Sequence, residues 1–286
     1  MKIISDISKL REEIKKEKFS NKKIGFVPTM GTLHDGHLSL VKMAKKNSDF
    51  IVVSIFVNPT QFGDKEDLDK YPRDLESDAK KLEKLGVNLI FAPTEKEIYT
   101  EGYQTVISVT QVSKGLCGDK RAGHFEGVAT IVTKLFNIVT PDIAFFGQKD
   151  YQQLQLITRM VTDLNMDIKI KSVPIKRESD GLAMSSRNLR LSKAGRKKAA
   201  LLNKELKAVI KKYKDGEKDA NKIVDIVKSR LEESGIEIDY VEIRDNNTLA
   251  SKVEIDDNSR IFIAAFVENI RLIDNIPFKE NLWDLF

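Results

Sequence analysis

The stretch PTMGTLHDGHLSLV, Pro28–Val41, carries His34 and His37, two of only three histidines in the chain. An imidazole can donate a hydrogen bond to a phosphate and, once protonated, bring a charge to it. Backbone N–H groups at a helix start add to the attraction for an anion. Gly31 and Gly36 let the chain turn sharply and come close to a ligand. The spacing therefore suits phosphate contact, with His34 in a loop and His37 in the first turn of a helix. The same two residues could simply cap that helix. Zinc ligation has less behind it, because no cysteine cluster or third histidine lies nearby and the metalloprotease spacing is absent.

Two later stretches bear on the same chemistry. SDGLAMSSRN, Ser179–Asn188, surrounds Arg187 with small and hydroxyl residues, so that Ser185, Ser186 and Arg187 offer donors to phosphate oxygens. An ordinary loop with a helix cap is the plain alternative. FFGQKDYQQLQL places Gly147, Lys149 and Asp150 between an apolar run and a helical pattern. Lys149 could meet a polyphosphate there, and Asp150 also suits a helix N-cap. Neither a GxxxxGK[ST] loop nor a GxGxxG turn after the first strand is present.

The elements that must position these residues follow from apolar periodicity. Lys23–Pro28 and Phe50–Val57 are expected strands, with a helix over 36–47 whose inner side carries Leu38 and Val41 and could extend to Ala44 and the stem of Lys45. A helix over 73–85, with Leu75, Ala79, Leu82 and Leu85 inward, leads to a strand in VNLIFAP. TVISVT is a further expected strand. A helix over 125–139, a strand at Asp142–Gly147, a helix over 151–164 and a strand in DIKIKSVPI complete this half. The alternation predicts an α/β fold, a doubly wound parallel sheet of Rossmann-like type, over residues 1–175. Residues 176–286 change texture. Lysine-rich helices over 193–212 and 220–234 precede strands in IDYVEIRD, RIFIAAFVE and IRLID, which predicts a smaller α+β domain carrying the MSSRN loop.

Composition narrows the function classes. The 286 residues are 41% hydrophobic and 32% charged, which argues against disorder. The net charge of +5 comes from interspersed signs, without the basic blocks or basic–aromatic alternation of a nucleic-acid binder. A weakly positive field favours an anionic small molecule. The single cysteine, Cys117, cannot form an internal disulfide, as expected in a reducing cytoplasm. The N-terminus lacks a signal peptide's apolar centre and no stretch is long enough to span a membrane, so cytoplasmic localisation is expected.

The pairing of a His-x-Gly-His turn with a downstream Ser/Arg loop resembles the HIGH and KMSKS elements of the nucleotidyltransferase superfamily. The resemblance narrows when PTMGTLHDGHLSLV is joined by SIFVNPTQF, YPRDLESD, GDKRAGHFEGVATIVTKLFNIVTPDIAFFGQKDYQQLQLI and DGLAMSSRN, in that order. Together they resemble the pantothenate synthetase (pantoate–β-alanine ligase) family. The C-terminal part matches in general character rather than by motif. The resemblance implies ATP-dependent joining of pantoate to β-alanine through an enzyme-bound pantoyl adenylate, with Mg2+, in a homodimer. A cytidylyl- or adenylyl-transferase releasing a nucleotide-linked product is the alternative that the same turn could serve.

The resemblance also implies roles. Met30, Gly31, Thr32, Leu33, His34, Asp35, Gly36 and His37 would line the ATP site, with both histidines on the phosphates and His37 as proton donor. Gly147, Gln148, Lys149 and Asp150 would hold ribose and a phosphate, Lys149 as a charge clamp. Met184, Ser185, Ser186 and Arg187 would close on the triphosphate. Gln61 and Gln153 would hold pantoate. At Lys176 the family has an apolar residue against adenine, so a contact there would have to be made by the backbone. The family places acidic residues near the metal at positions 77 and 78, of which only Asp78 is acidic here. The glutamines also make sense chemically, because neutral amides orient an acid without blunting its nucleophilicity as an arginine fork would. The segment FGDKEDLDKYPRD, Phe62–Asp74, is polar and glycine-bearing and could wall off an adenylate from water. Arg121 and His124 fall in a motif to which the sequence attaches no chemistry.

Overall fold

The computed structural model describes residues 1–63 and 68–279. Residues 64–67, within the expected movable wall Phe62–Asp74, lie outside the described residues. The chain divides into two compact units, Met1–Gly147 with Leu156–Val173, and Gln148–Gln155 with Pro174–Phe286.

The first unit holds a parallel six-stranded sheet. Its strands are β1 (Lys2–Ile4), β2 (Ile24–Thr29), β3 (Phe50–Ile55), β4 (Leu89–Phe91), β5 (Ile143–Gly147) and β6 (Lys169–Val173), in the order β1-β4-β3-β2-β5-β6. The central strands are continuous apolar runs because both faces are covered. Connections are helical: α1 (Ile7–Phe19), α2 (Asp35–Asn47), α3 (Leu75–Lys84), α4 (Glu95–Ile98), α5 (Leu116–Lys120), α6 (His124–Val139) and α7 (Tyr151–Asp163), the last of which begins in the second unit and enters the first at Leu156. The winding reverses between β2 and β5, which pair in parallel at Phe26 and Ala144. Sheets of this kind bind ligands at the carboxyl ends of the strands beside such a reversal. The residues after Thr29 and around Gly147 sit at those ends.

Several details differ from the periodicity. In α2 the buried residues are Leu40, Val41 and Ala44, with Leu38 only half-buried, so the inner face is rotated from the expected one. In α3 Leu82 is buried but Leu75 is 39% exposed, and the polar Asp78 turns inward. TVISVT is not a strand: Val106 is largely exposed and the N–H of Ile107 donates to the Thr130 hydroxyl at 2.9 Å instead of to a neighbouring strand.

The second unit is an antiparallel sheet of β7 (Glu237–Asp245), β8 (Ser259–Val267) and β9 (Ile270–Pro277) in that order. The helices α8 (Lys193–Lys214) and α9 (Ala220–Glu233) lay Leu202, Leu206 and Val227 against Ile261, Ile263 and Leu272 of the sheet. Their lysines form the outer, solvated face. Among the described residues no helix is long and apolar enough to cross a membrane.

Candidate active site

After β2 the chain turns through Gly31 and Thr32, both at positive φ (87° and 54°). Glycine suits the first position twice over: the conformation disfavours a side chain, and a Cβ would approach Ile55 and Asp78 at 3.1 and 3.2 Å. Asp78 fixes this loop. Its carboxylate, 1% exposed, accepts from the N–H groups of Thr32 at 2.7 Å and Leu33 at 2.8 Å. Lys81, one turn further along α3, donates to the Leu33 carbonyl at 2.8 Å.

The loop delivers His34 to the N-cap of α2. His34 Nδ1 accepts from the N–H of Gly36 at 3.1 Å, and His37 Nδ1 accepts, at a long 3.4 Å, from the N–H of His34. The two rings lie 4.1 Å apart, tilted by 35°. Capping therefore occurs, and it has a chemical consequence. An Nδ1 that accepts a backbone hydrogen carries no proton in the neutral ring, so the proton is on Nε2. Both imidazoles present the same nitrogen as donor.

A second network surrounds Gln61, in the 3-10 turn Pro59–Gln61. Asn58 Nδ2 donates to Gln61 Oε1 at 3.0 Å and to the Gly127 carbonyl at 3.2 Å, while Asn58 Oδ1 accepts from Tyr99 at 2.6 Å and Thr60 at 3.0 Å. Burial pushes the Tyr99 phenol up to about 12, so it stays a donor at neutral pH. The Gln61 amide nitrogen meets the Met30 thioether at 3.2 Å, a weak acceptor that a substrate oxygen would outcompete. Helix α6 comes so close to this turn that a Cβ on Gly127 would fall 2.4 Å from the Thr60 carbonyl oxygen.

His124 and Arg121 act on the same turn. His124 Nδ1 faces the Gln61 carbonyl oxygen at 2.8 Å, an atom that only accepts, so Nδ1 bears the hydrogen. Nε2 then accepts from Arg121, 3.0 Å away. The sequence attached no chemistry to this pair; in the structure it secures the backbone of Gln61. Asn58 and Tyr99 were not singled out either, although the NP dipeptide before Gln61 marks a built turn.

In the second unit the segment 176–184 doubles back on itself. Met184 N donates to the Lys176 carbonyl at 2.9 Å and Arg177 forms a β-bridge with Ala183. The Lys176 side chain is exposed. Arg196 of α8 reaches Asp180 at 2.7 Å and Glu178 at 2.8 Å, and the resulting hydrogen bonds hold both carboxyls below their ordinary range. Ser185 accepts from Arg187 N at 3.2 Å and so caps the 3-10 turn Ser186–Arg190. Gln148–Asp150 form another 3-10 turn at the start of α7, with Gln148 buried and Lys149 Nζ 3.8 Å from Asp150. Gln153, on the first turn of α7, is half-buried.

Against known proteins, the family model described as pantoate-beta-alanine ligase matches residues 2–277. The chain belongs to this family. Among its relatives is the pantothenate synthetase of Thermoanaerobacter pseudethanolicus, 52% identical over 98% of this chain and all of that protein. That of Acetivibrio thermocellus is 51% identical over 96% and 99% of the two chains. The crystal structure of pantothenate synthetase from Thermus thermophilus superposes with a TM-score of 0.92 at 41% identity, covering 98% of this chain and 100% of that one. The pantoate-beta-alanine ligase from Francisella tularensis, complexed with beta-gamma ATP and beta-alanine, gives 0.80 at 34% identity over 97% and 98%. The chain is therefore a ligase with the expected α/β fold, and a transferase releasing a nucleotide-linked product is not favoured.

For a pantoate–β-alanine ligase the metal expectation at Asp78 needs a fit test. Among the described residues no group of three or more His, Cys, Asp or Glu is placed to hold a metal ion. Asp78 is buried with both oxygens on backbone N–H groups. These residues do not fit a protein-held magnesium, and Asp78 serves instead as the anchor of the loop before α2.

Proposed function

We propose that this ligase condenses pantoate with β-alanine at the expense of ATP through a pantoyl adenylate. In the first half-reaction a pantoate carboxylate oxygen attacks the α-phosphorus of ATP, and the bond to the β-phosphate oxygen breaks, releasing pyrophosphate with the electron pair. In the second, the free amine of β-alanine attacks the acyl carbon. The bond to AMP breaks, the amine loses a proton, and pantothenate and AMP remain.

The observation that carries this reading is the paired imidazoles of His34 and His37, whose Nδ1 atoms are both committed to backbone N–H groups. Nε2–H donors oriented in this way suit the charge that builds on a departing pyrophosphate, and a donor fixed before the reaction needs no reorganisation. His37 is assigned the proton donation and His34 the ground-state phosphate contact. Met30–Gly36 line the nucleotide, Lys149 and Arg187 supply positive charge, and Gly147, Gln148, Asp150, Met184, Ser185 and Ser186 complete the nucleotide contacts. Lys176 would meet adenine through its backbone. Gln61 and Gln153 orient pantoate through neutral amides, leaving the attacking oxygen unencumbered. Magnesium enters with the triphosphate as part of the substrate, as is usual for an ion that keeps several waters and binds phosphates. The working form is a cytoplasmic homodimer, for which sedimentation at micromolar concentration is the check.

Isotope exchange tests the function. ATP–pyrophosphate exchange should require pantoate and magnesium but not β-alanine, and AMP should appear only when the amine is added. Exchange that ignores pantoate would reject the assignment.

A further inference from the structure

β9 carries two consecutive polar residues, Asp274 and Asn275, both about 2% exposed, in a strand otherwise rich in isoleucine and leucine. Successive strand residues point to opposite faces of a sheet. Asp274 shares the face of Ile270, Leu272 and Ile276, which meets the helices, and Asn275 takes the other face.

On that other face Asn275 Nδ2 donates to the carbonyls of Gln148 at 3.0 Å and Lys149 at 2.9 Å. Asn275 Oδ1 accepts from Arg260 of β8, whose Nε donates to Asn246 Oδ1 at 2.8 Å. The Arg260 guanidinium is 1% exposed and lies 3.7 Å from the centre of the Tyr151 ring, the first residue of α7. Burial pushes this guanidinium down to about 10, so it is still a cation at neutral pH. A cation on Oδ1 polarises the amide and strengthens the two bonds that Nδ2 donates. Buried charge is expensive to keep, and an apolar face would stabilise the sheet as well.

On the helix-side face Asp274 takes Arg177 in a two-pronged pair, at 2.6 and 3.0 Å. Arg177 also donates to the Gly181 carbonyl at 3.1 Å, in the turn that leads to Met184. Asp274 Oδ1 accepts from Asn275 N at 2.8 Å, which links the two holds.

We infer that Asp274 and Asn275 are positioning residues for the nucleotide chemistry: Asn275 sets the backbone that carries Lys149, and Asp274, through Arg177, sets the hairpin that presents Met184–Arg187. The inference rests on the function proposed above, since it assumes that those segments handle ATP. A small displacement of a phosphate-handling group costs rate far more than it costs affinity for the other substrate.

Asn275→Asp tests the first hold. The new carboxylate keeps the size and the acceptor for Arg260 but cannot donate to two carbonyls. The variant, folded by circular dichroism, should lose on the order of tenfold or more in the rate of pantoate-dependent ATP–pyrophosphate exchange. Its KM for pantoate should stay within about twofold of the unaltered enzyme. In a Lys149→Ala background the same substitution should cost less than about threefold, because the two act as a unit. Losses that multiply in full, or a folded variant with unaltered rate, overturn the inference. Should Asn275→Asp not fold, Asp274→Asn with Arg187→Ala gives the same cycle on the other hold, and full multiplication there overturns it equally. The unaltered enzyme is the control: exchange without a need for pantoate defeats the functional assignment, whereas normal exchange with indifferent variants defeats only the positioning role.

Discussion

In the loop before α2 a buried carboxylate, Asp78, gathers the N–H groups of Thr32 and Leu33. On β9 the Asn275 amide donates to the carbonyls of Gln148 and Lys149, and Arg177, held by the Asp274 carboxylate, donates to that of Gly181. Both regions are proposed to serve the nucleotide, yet they are held by opposite chemistry. Asp78 takes up the N–H groups of Thr32 and Leu33 beside His34 and His37, and in the proposed function the two imidazoles are the side-chain donors to an anion. Tying up the carbonyls of Gln148, Lys149 and Gly181 would turn partial negative charge away from Lys149 and Arg187, the cations proposed to meet phosphate. Only in the β9 region does the buried hold take backbone groups, carbonyl oxygens, that would oppose the task proposed for the neighbouring side chains.

His37→Ala is the strongest way to break this contrast. It should lower kcat on the order of 10²–10³ fold, about 3–4 kcal/mol, as expected for a donor that acts in the transition state. A loss under about fivefold in steady-state kinetics would leave the imidazoles without their special place. Asp78→Asn comes next. It replaces a carboxylate on two buried N–H groups by an amide that turns one donor against another, and should cost about 2–3 kcal/mol in urea unfolding. Stability within about 0.5 kcal/mol of the unaltered protein would mean that the loop holds itself.

Gln153→Ala sharpens the second region. Losing neutral hydrogen bonds worth about 0.5–1.5 kcal/mol should raise the KM for pantoate about two- to tenfold and leave that for ATP nearly unchanged. The reverse result would move Gln153 to the nucleotide. The smallest effect belongs to Arg196. Its hydrogen bonds depress the Glu178 and Asp180 carboxyls below their ordinary values of 4.5 and 3.8. A depressed folded-state pKa contributes stability above the unfolded value, which is lost as pH falls through the folded one. Arg196→Gln should therefore flatten the decline in stability below about pH 4.5, by about 1 kcal/mol or less for partly exposed pairs. A decline of unaltered steepness in acid titrations would remove the pair from the account.

Much of the architecture was legible because the central strands β2, β3 and β5 are compact apolar runs, each followed by a helical period. TVISVT failed because alternation alone cannot show whether a neighbouring strand edge exists. The short β1 and the helix α1 escaped notice because charged residues dominate that stretch. At the site, the histidine pair stood out through rarity and spacing. The supports did not: the resemblance alone brings Asp78 forward, and as a metal neighbour, since one turn before Leu82 in a helix it looks like any surface carboxylate. Arg260 and Asn275 are likewise silent individually, being brought together only by the register of β8 on β9. The adjacent polar pair in RLIDNIP was the one available hint.

The bond between Asn275 and Gln148 joins residues 127 positions apart. A ribosome adding roughly 5–20 residues per second needs about 6–25 s to cover that distance. During this interval the turn bearing Lys149 has emerged while the amide that fastens it does not yet exist. Fastening it thus waits for β9, and chains released short of β9 would carry the histidine loop complete and the lysine turn unsecured.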